Sequence, residues 1–191
     1  MDIEDKKDNL KITKKKLQLG SGLKVLKGYI NVDLTKKYGA EVAHNLEKFP
    51  YPFKDNEFDE VLLDNVLEHL ENTIKVMEEI HRISKPGAII KIIVPHSSGA
   101  MAFGSITHKR FFSSGTFDTF KPGNWEKYSK VEFEILEKRL IWLDSRNWFW
   151  IRPLKSIIDK LINIKPYLSE RFFCYPLGGF DHIYFKLKVV K

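Results

Sequence analysis

The sequence predicts an α/β fold, a mostly parallel sheet with an antiparallel edge at its C-terminal end. Three observations carry this. Short apolar segments alternate with crossover segments through the first half of the chain. The last of these segments, Ala-Ile-Ile-Lys-Ile-Ile-Val-Pro at 88–95, is a continuous apolar run, as in a strand buried on both faces. Near the end, Val131, Phe133 and Ile135, and then Ile183, Phe185, Leu187 and Val189, alternate with polar neighbours, the period of half-exposed strands.

Taken in order, residues 1–14 are rich in Lys, Asp and Glu and read as a loosely docked arm. They lack the apolar segment of a secretory signal. Residues 15–20 form a first strand, with Leu17 and Leu19 apolar, that runs into Gly20-Ser21-Gly22. A second strand covers 29–34 and carries Asp33 at its end, and a third covers 41–46. Pro50, Pro52 and Asp55-Asn56 mark a loop before a fourth strand at 58–63. A helix is expected over 66–84, where Leu67, Leu70, Ile74, Met77 and Ile80 share one face, and Lys85-Pro86-Gly87 stops it. A long Gly-interrupted segment follows at 96–130, of the kind that is usually functional or partly disordered. Pro153 opens an amphipathic helix bearing Leu154, Ile157, Ile158 and Leu161. The organisation is one domain over 15–191, with 143–179 as an insertion or cap.

The first crossover is unusual. Only residues 23–28 separate the glycine turn from the second strand, whereas a parallel crossover normally takes a dozen or more residues. The first crossover helix is therefore missing or reduced to one turn. That leaves one face of the sheet under-covered, a place for the N-terminal arm.

The chain has 191 residues and a net charge of +7. The charge suits nucleic acid, an anionic membrane surface or an acidic substrate, and equally a Lys-rich solvated surface. No apolar run approaches the ~20 residues of a membrane span. Cys174 is the only cysteine and no Cys/His cluster has zinc-ligand spacing, so a cytoplasmic setting and no bound metal are expected.

Glycines at the carboxyl end of a first strand let a ligand approach the backbone. An acid at the end of the next strand, here Asp33, can accept hydrogen bonds from ribose hydroxyls. A dinucleotide site would need a third glycine where Val25 stands and an acid about 20 residues on, which disfavours NAD and FAD. Gly20 and Asp33 singly fit an ordinary turn as well as a ligand site.

Four blocks decide between these readings in combination. They are Asn45-Leu46-Glu47-Lys48-Phe49-Pro50-Tyr51-Pro52-Phe53, Phe58-Asp59-Glu60-Val61, Val66-Leu67-Glu68-His69-Leu70, and Glu79-Ile80-His81-Arg82-Ile83-Ser84-Lys85-Pro86-Gly87. Together they resemble the class I S-adenosylmethionine-dependent methyltransferases of the type-11 kind, over roughly residues 15–120. The resemblance implies a Rossmann-like sheet and S-adenosylmethionine as cofactor. It places Gly20 and Gly22 on the methionine part, Asp33 on the ribose, and Asn45 with Leu46 on the adenine. Asn45 stands where the family more often has Asp, and its amide oxygen can accept the same bond. A branch with Gly-Tyr-Ile-Asn-Val-Asp soon after the glycine turn looks similar to residues 28–33.

Asp64, Asn65, Glu68 and His69 are expected to border the sulfonium, or to serve a helix start. His96 and His108 are the candidate bases, since imidazole titrates near neutral pH, although both also read as loop histidines that only hydrogen-bond. Lys109 and Arg110 could hold an anionic group of the acceptor. The Asp/Asn-Pro-Pro-aromatic signature of nucleobase amino-methylation is absent after the fourth strand, and Cys174 lies far from the cofactor motifs. The leading reading is methyl transfer to a small molecule or glycan. A nucleic-acid or protein acceptor and a non-catalytic cofactor-binding module stay open. Trp142, Trp148, Phe149 and Trp150, interspersed with Arg146, Arg152, Lys155 and Lys160, suit either a peripheral membrane contact or a helix packed on the sheet.

Overall fold

The computed structural model describes residues 14–126, 128–144 and 149–191. The arm at 1–13, Arg146 and Trp148 lie outside them. Seven strands form one sheet in the order β3-β2-β1-β4-β5-β7-β6. They are β1 Lys16–Leu19, β2 Ile30–Asp33, β3 Val42–Ala43, β4 Phe58–Asp64, β5 Ser84–Pro95, β6 Glu132–Ile141 and β7 His182–Val190. The first five pair in parallel, and β7 runs antiparallel between β5 and β6. The expected parallel sheet with an antiparallel C-terminal edge is what forms.

One sheet face makes the core. Leu17 and Leu19, Val61 and Leu63, Ile90 and Ile92, and Phe185 and Leu187 are fully buried across β1, β4, β5 and β7. They share a cluster with Met77 and Ile80 of α1, Thr73–Ile83, and with Phe112, Phe117 and Phe120 from the long segment after β5. Each such side chain contributes roughly 1.5–3 kcal/mol on burial.

The expected helix at 66–84 is shorter than its periodicity. A 3-10 turn at Leu67–His69 comes first, the chain then extends, and Asn72 caps α1 by accepting from the amide of Lys75. An unbroken helix would leave this capping bond unmade. The helix stops at Ile83, and Lys85-Pro86-Gly87 already belongs to β5, with Gly87 at φ 77.

The expectation that β5 is buried on both faces is corrected. Ile89, Lys91 and Ile93 are only half-buried, because among the described residues no helix covers that side of the sheet at the first crossover. Residues 20–29 are an irregular loop. Its backbone bonds are met by two buried polar side chains of the sheet: Gln18 donates to the Lys24 carbonyl, and Asn31 accepts from the Leu26 amide and donates to the Leu26 and Tyr29 carbonyls. A helix supplies those bonds internally; here the strands supply them. The open face is a polar ladder. Lys16 lies over the Tyr29 ring, Tyr29 donates to Glu60, Glu60 pairs with Lys91 at 3.0 Å, and Arg139 lies over Tyr184. Such half-exposed pairs contribute about 0–1 kcal/mol each, so the ladder keeps the face wetted more than it stabilises it.

Residues 152–172, within the segment expected as an insertion or cap, hold two helices, α3 Arg152–Ile162 and α4 Pro166–Phe172, preceding β7; a four-residue helical turn, α2 Ala100–Phe103, lies in the segment after β5. The cap is tied to β6 by Asn163, whose side chain bonds both the amide and the carbonyl of Leu140.

Candidate active site

The carboxyl ends of β1, β2 and β4 frame a cleft of about 480 Å³, within the roughly 300–1,000 Å³ usual for small-molecule sites. Gly20, Gly22, Asp33, Asn45, Leu46, Asn65, Val66 and His69 all border it. The sequence places these residues up to 49 positions apart (69 − 20); the parallel register brings them together.

The two glycines do different work. Gly20 has φ +66, and a Cβ there would lie 2.5 Å from Cγ2 of Val66, so its absence of a side chain serves packing under the turn. Gly22 has φ +50 and nothing within 4 Å of where a Cβ would stand, an open approach to its backbone. The Asp33 carboxylate accepts from the Gly22 amide at 2.7 Å and from the Leu34 amide at 2.8 Å. Asn45 accepts from the Glu47 amide at 2.9 Å, which orients its amide and leaves one lone pair of the oxygen for a ligand.

Asn65 leaves β4 at φ 56 and bonds the Ile93 carbonyl through its amide. It borders a second groove of about 420 Å³, with Lys24, Asp64, Ile93, Lys155 and His182. Asp64 faces this groove, where Lys24 donates to it at 2.9 Å.

The family match is decisive beside this geometry. Residues 20–92, from the glycine turn into β5, match the family described as a methyltransferase domain. The chain carries a methyltransferase domain, and S-adenosylmethionine is its cofactor. Solved structures share the fold of this methyltransferase. A SAM-dependent methyltransferase from Archaeoglobus fulgidus is 17% identical at a TM-score of 0.56, over 92% of this chain and 86% of that one. An S-adenosylmethionine-dependent methyltransferase from Mesorhizobium loti is 13% identical at 0.54, over 92% and 90%. No curated protein matches the sequence.

The residues present in the methyltransferase fit its cofactor. The open backbone at Gly22, the acid of Asp33 beside it and the apolar Leu46 next to Asn45 would offer it, in that order, room, a hydrogen-bond acceptor and an apolar contact. Other expected residues stand elsewhere. His96 is buried and does not line the cleft: Ser98 donates to its Nδ1 from the backbone amide at 3.1 Å, so Nε2 carries the proton and donates to Glu170 at 2.8 Å. With both ring nitrogens engaged, His96 anchors α4 and is not placed as a base. Burial works against ionisation of Glu170, yet the bonds from His96 and from the Ser114 hydroxyl and amide hold its carboxyl below the usual range. His108 lies outside the lining too, but its ring meets that of His69 edge to face at 4.8 Å.

Lys109 and Arg110, expected to hold the acceptor, hold the chain instead. Their amides bond the Glu68 carbonyl, Lys109 pairs with Glu71 at 2.8 Å, and the Arg110 guanidinium donates to the Glu71 carbonyl. These bonds dock the segment after β5 onto the 3-10 turn. Glu68 is not at the cleft surface but behind it. Burial, with a lesser push from Asp64, raises its carboxyl to about 7. Burial also lowers His69, against a bond to Thr107, with His108 and Lys109 lowering it further. Sequence reasoning missed Asn31 and Gln18, the braces of the glycine turn. The available signal was a polar residue in the middle of each of two short apolar strands.

Proposed function

We propose that this methyltransferase acts on a small-molecule or glycan acceptor held in the 420 Å³ groove, with Gly20, Gly22, Asp33, Asn45, Leu46 and Asn65 binding the cofactor. The observation that carries the reading is that cleft and groove meet at Asn65, and that the groove is lined by charged side chains. A hydroxyl-rich acceptor suits such a lining, and Asp64 and Lys155 would orient it. S-adenosylmethionine, when bound, supplies an electrophilic methyl on a positively charged sulfur. The protein's part is alignment and exclusion of water.

The cap supports a membrane setting for this acceptor. Only part of the α3 stripe packs inward: Ile158 is half-buried against the core, while the rest of the stripe faces outward. Leu154, Ile157 and Leu161 are 51%, 58% and 59% exposed, and only Ile162 is buried. Ile164, Tyr167, Phe172 and Phe173 are exposed beside them, with Arg152, Lys160, Lys165 and Arg171 exposed around the patch. Exposed apolar side chains and exposed basic ones in the same segment match an anionic lipid surface. Among the described residues no helix is long and apolar enough to cross a membrane, which fits a cap lying on the surface.

The test pairs two measurements. Labelled methyl from the cofactor is followed onto glycan and small-molecule acceptors, with RNA and protein in parallel. Co-sedimentation with phosphatidylglycerol vesicles is compared with phosphatidylcholine at low salt, where attraction is least screened. Label on a glycan or small molecule and binding to the anionic vesicles are expected. Label on RNA or protein alone overturns the acceptor class; failure to bind anionic vesicles at low salt overturns the membrane setting.

A further inference from the structure

At and behind one wall of the cleft, His69, which borders it, stands with Glu68 and His108, and this reading leaves the three without a task. Glu68 is 1% exposed, and neither carboxylate oxygen has a hydrogen-bond partner among the described residues. A carboxylate so far from water calls for a cation or donors. Lys109, whose backbone amide bonds the Glu68 carbonyl, turns its ammonium to Glu71 instead. What stands close instead are His69 and His108, with one ligand atom from each of the three residues lying within 4.8 Å of the others.

Both rings are oriented as ligands. Nδ1 of His108 is 2.9 Å from the Ala102 carbonyl, which can only accept, so Nδ1 carries the proton and Nε2 keeps its lone pair. Nδ1 of His69 is fixed by the Thr107 hydroxyl at 3.0 Å, with the Thr107 carbonyl at 3.4 Å. A metal-binding imidazole is typically held in this way by its other nitrogen.

We propose that Glu68, His69 and His108 bind a divalent transition-metal ion such as zinc, which clamps the segment after β5 to the junction between β4 and α1 at the wall of the cleft. Two imidazole nitrogens and one carboxylate are a donor set zinc accepts, with a fourth position left for water. Zinc–ligand bonds of about 2.0–2.2 Å put ligand atoms roughly 3.4 Å apart, so groups now within 4.8 Å of one another close by up to about 1.4 Å on binding. His108 lies in the segment between α2 and the bridge at Phe112, whose adjustment would bring it in. No ligand spacing in the sequence signals this group, because the third ligand is 39 residues from the second (108 − 69) and the first two are adjacent. The inference stands apart from the acceptor class.

The test uses the full chain, stripped with chelator and titrated with cobalt(II) chloride, then zinc chloride. Expected are visible cobalt absorption saturating at one equivalent, its loss on adding zinc, and a higher melting temperature with zinc. His108→Ala and His69→Ala should each weaken cobalt binding at least tenfold while still unfolding cooperatively. Glu68→Gln should do the same; if it fails to fold, the two histidine variants decide. Absence of one-equivalent cobalt binding by the wild type, or binding unchanged in both histidine variants, overturns the site.

Discussion

The carboxylate of Asp33 accepts a 2.7 Å hydrogen bond from the amide of Gly22, tying the end of β2 to the glycine turn after β1. Asp33 is thus both a wall of the cleft and a brace for it, since its other oxygen accepts from the Leu34 amide. Asp33→Ala removes a charged acceptor and frees two amides. Calorimetry with S-adenosylmethionine should show binding weakened by about 1.5–3 kcal/mol, the scale of a hydrogen bond to a charged group. Asp33→Asn keeps an acceptor for Gly22 and should lose less. Wild-type affinity in Asp33→Ala removes Asp33 from the site.

Gly20 and Gly22 should separate in a stability assay. A methyl at Gly20 meets Val66 at 2.5 Å on a backbone of positive φ, so Gly20→Ala should lower the melting temperature strongly, and Val66→Ala should restore part of the loss. Gly22→Ala carries only the left-handed backbone cost of about 1–2 kcal/mol, and its defect should appear mainly in cofactor binding. Equal melting temperatures of the two variants would contradict this division.

Glu170 links stability to pH. Its carboxyl is held below the usual range in the folded chain, so its contribution is fully present above the ordinary carboxylate value of 4.5 and is lost as pH falls through the lowered folded value. Glu170→Gln should cost about 1–3 kcal/mol near neutral pH through the weakened bonds to His96 and Ser114, and should flatten the acid limb of the stability curve. Denaturant melts of both proteins from neutral pH down to acid check this; parallel curves would show that Glu170 does not carry the effect.

The cap should respond residue by residue according to what each side chain touches. Ile157→Ser and Leu161→Ser alter side chains that face water, and their unfolding free energies should change by less than about 0.5 kcal/mol. Ile162→Ser cuts a buried one and should cost several times as much, since loss of a core aliphatic side chain is roughly a 2–5 kcal/mol event. If Ile157→Ser and Leu161→Ser also unfold the chain, the stripe is packed and not a surface.

The amino-acid sequence by itself determined the strands, the antiparallel C-terminal edge, the shortened first crossover and most of the residues that border the cleft, because strand periodicity, turn glycines and the family blocks are local signals that survive in one dimension. Gly20, Gly22, Asp33, Asn45, Leu46, Asn65 and His69 were legible for that reason, and the parallel register seats them around one cleft. Where a side chain's neighbours come from distant segments, only the tertiary structure decided. His96 reads as a base until Ser98 and Glu170 take both its nitrogens. Lys109 and Arg110 read as acceptor ligands until Glu71 takes them. The α3 stripe reads the same whether it meets a sheet or water, since periodicity sets which residues share a face and not what that face touches. Glu68 and His108 lie 40 residues apart (108 − 68), and it is the docking of one segment onto another that sets them side by side.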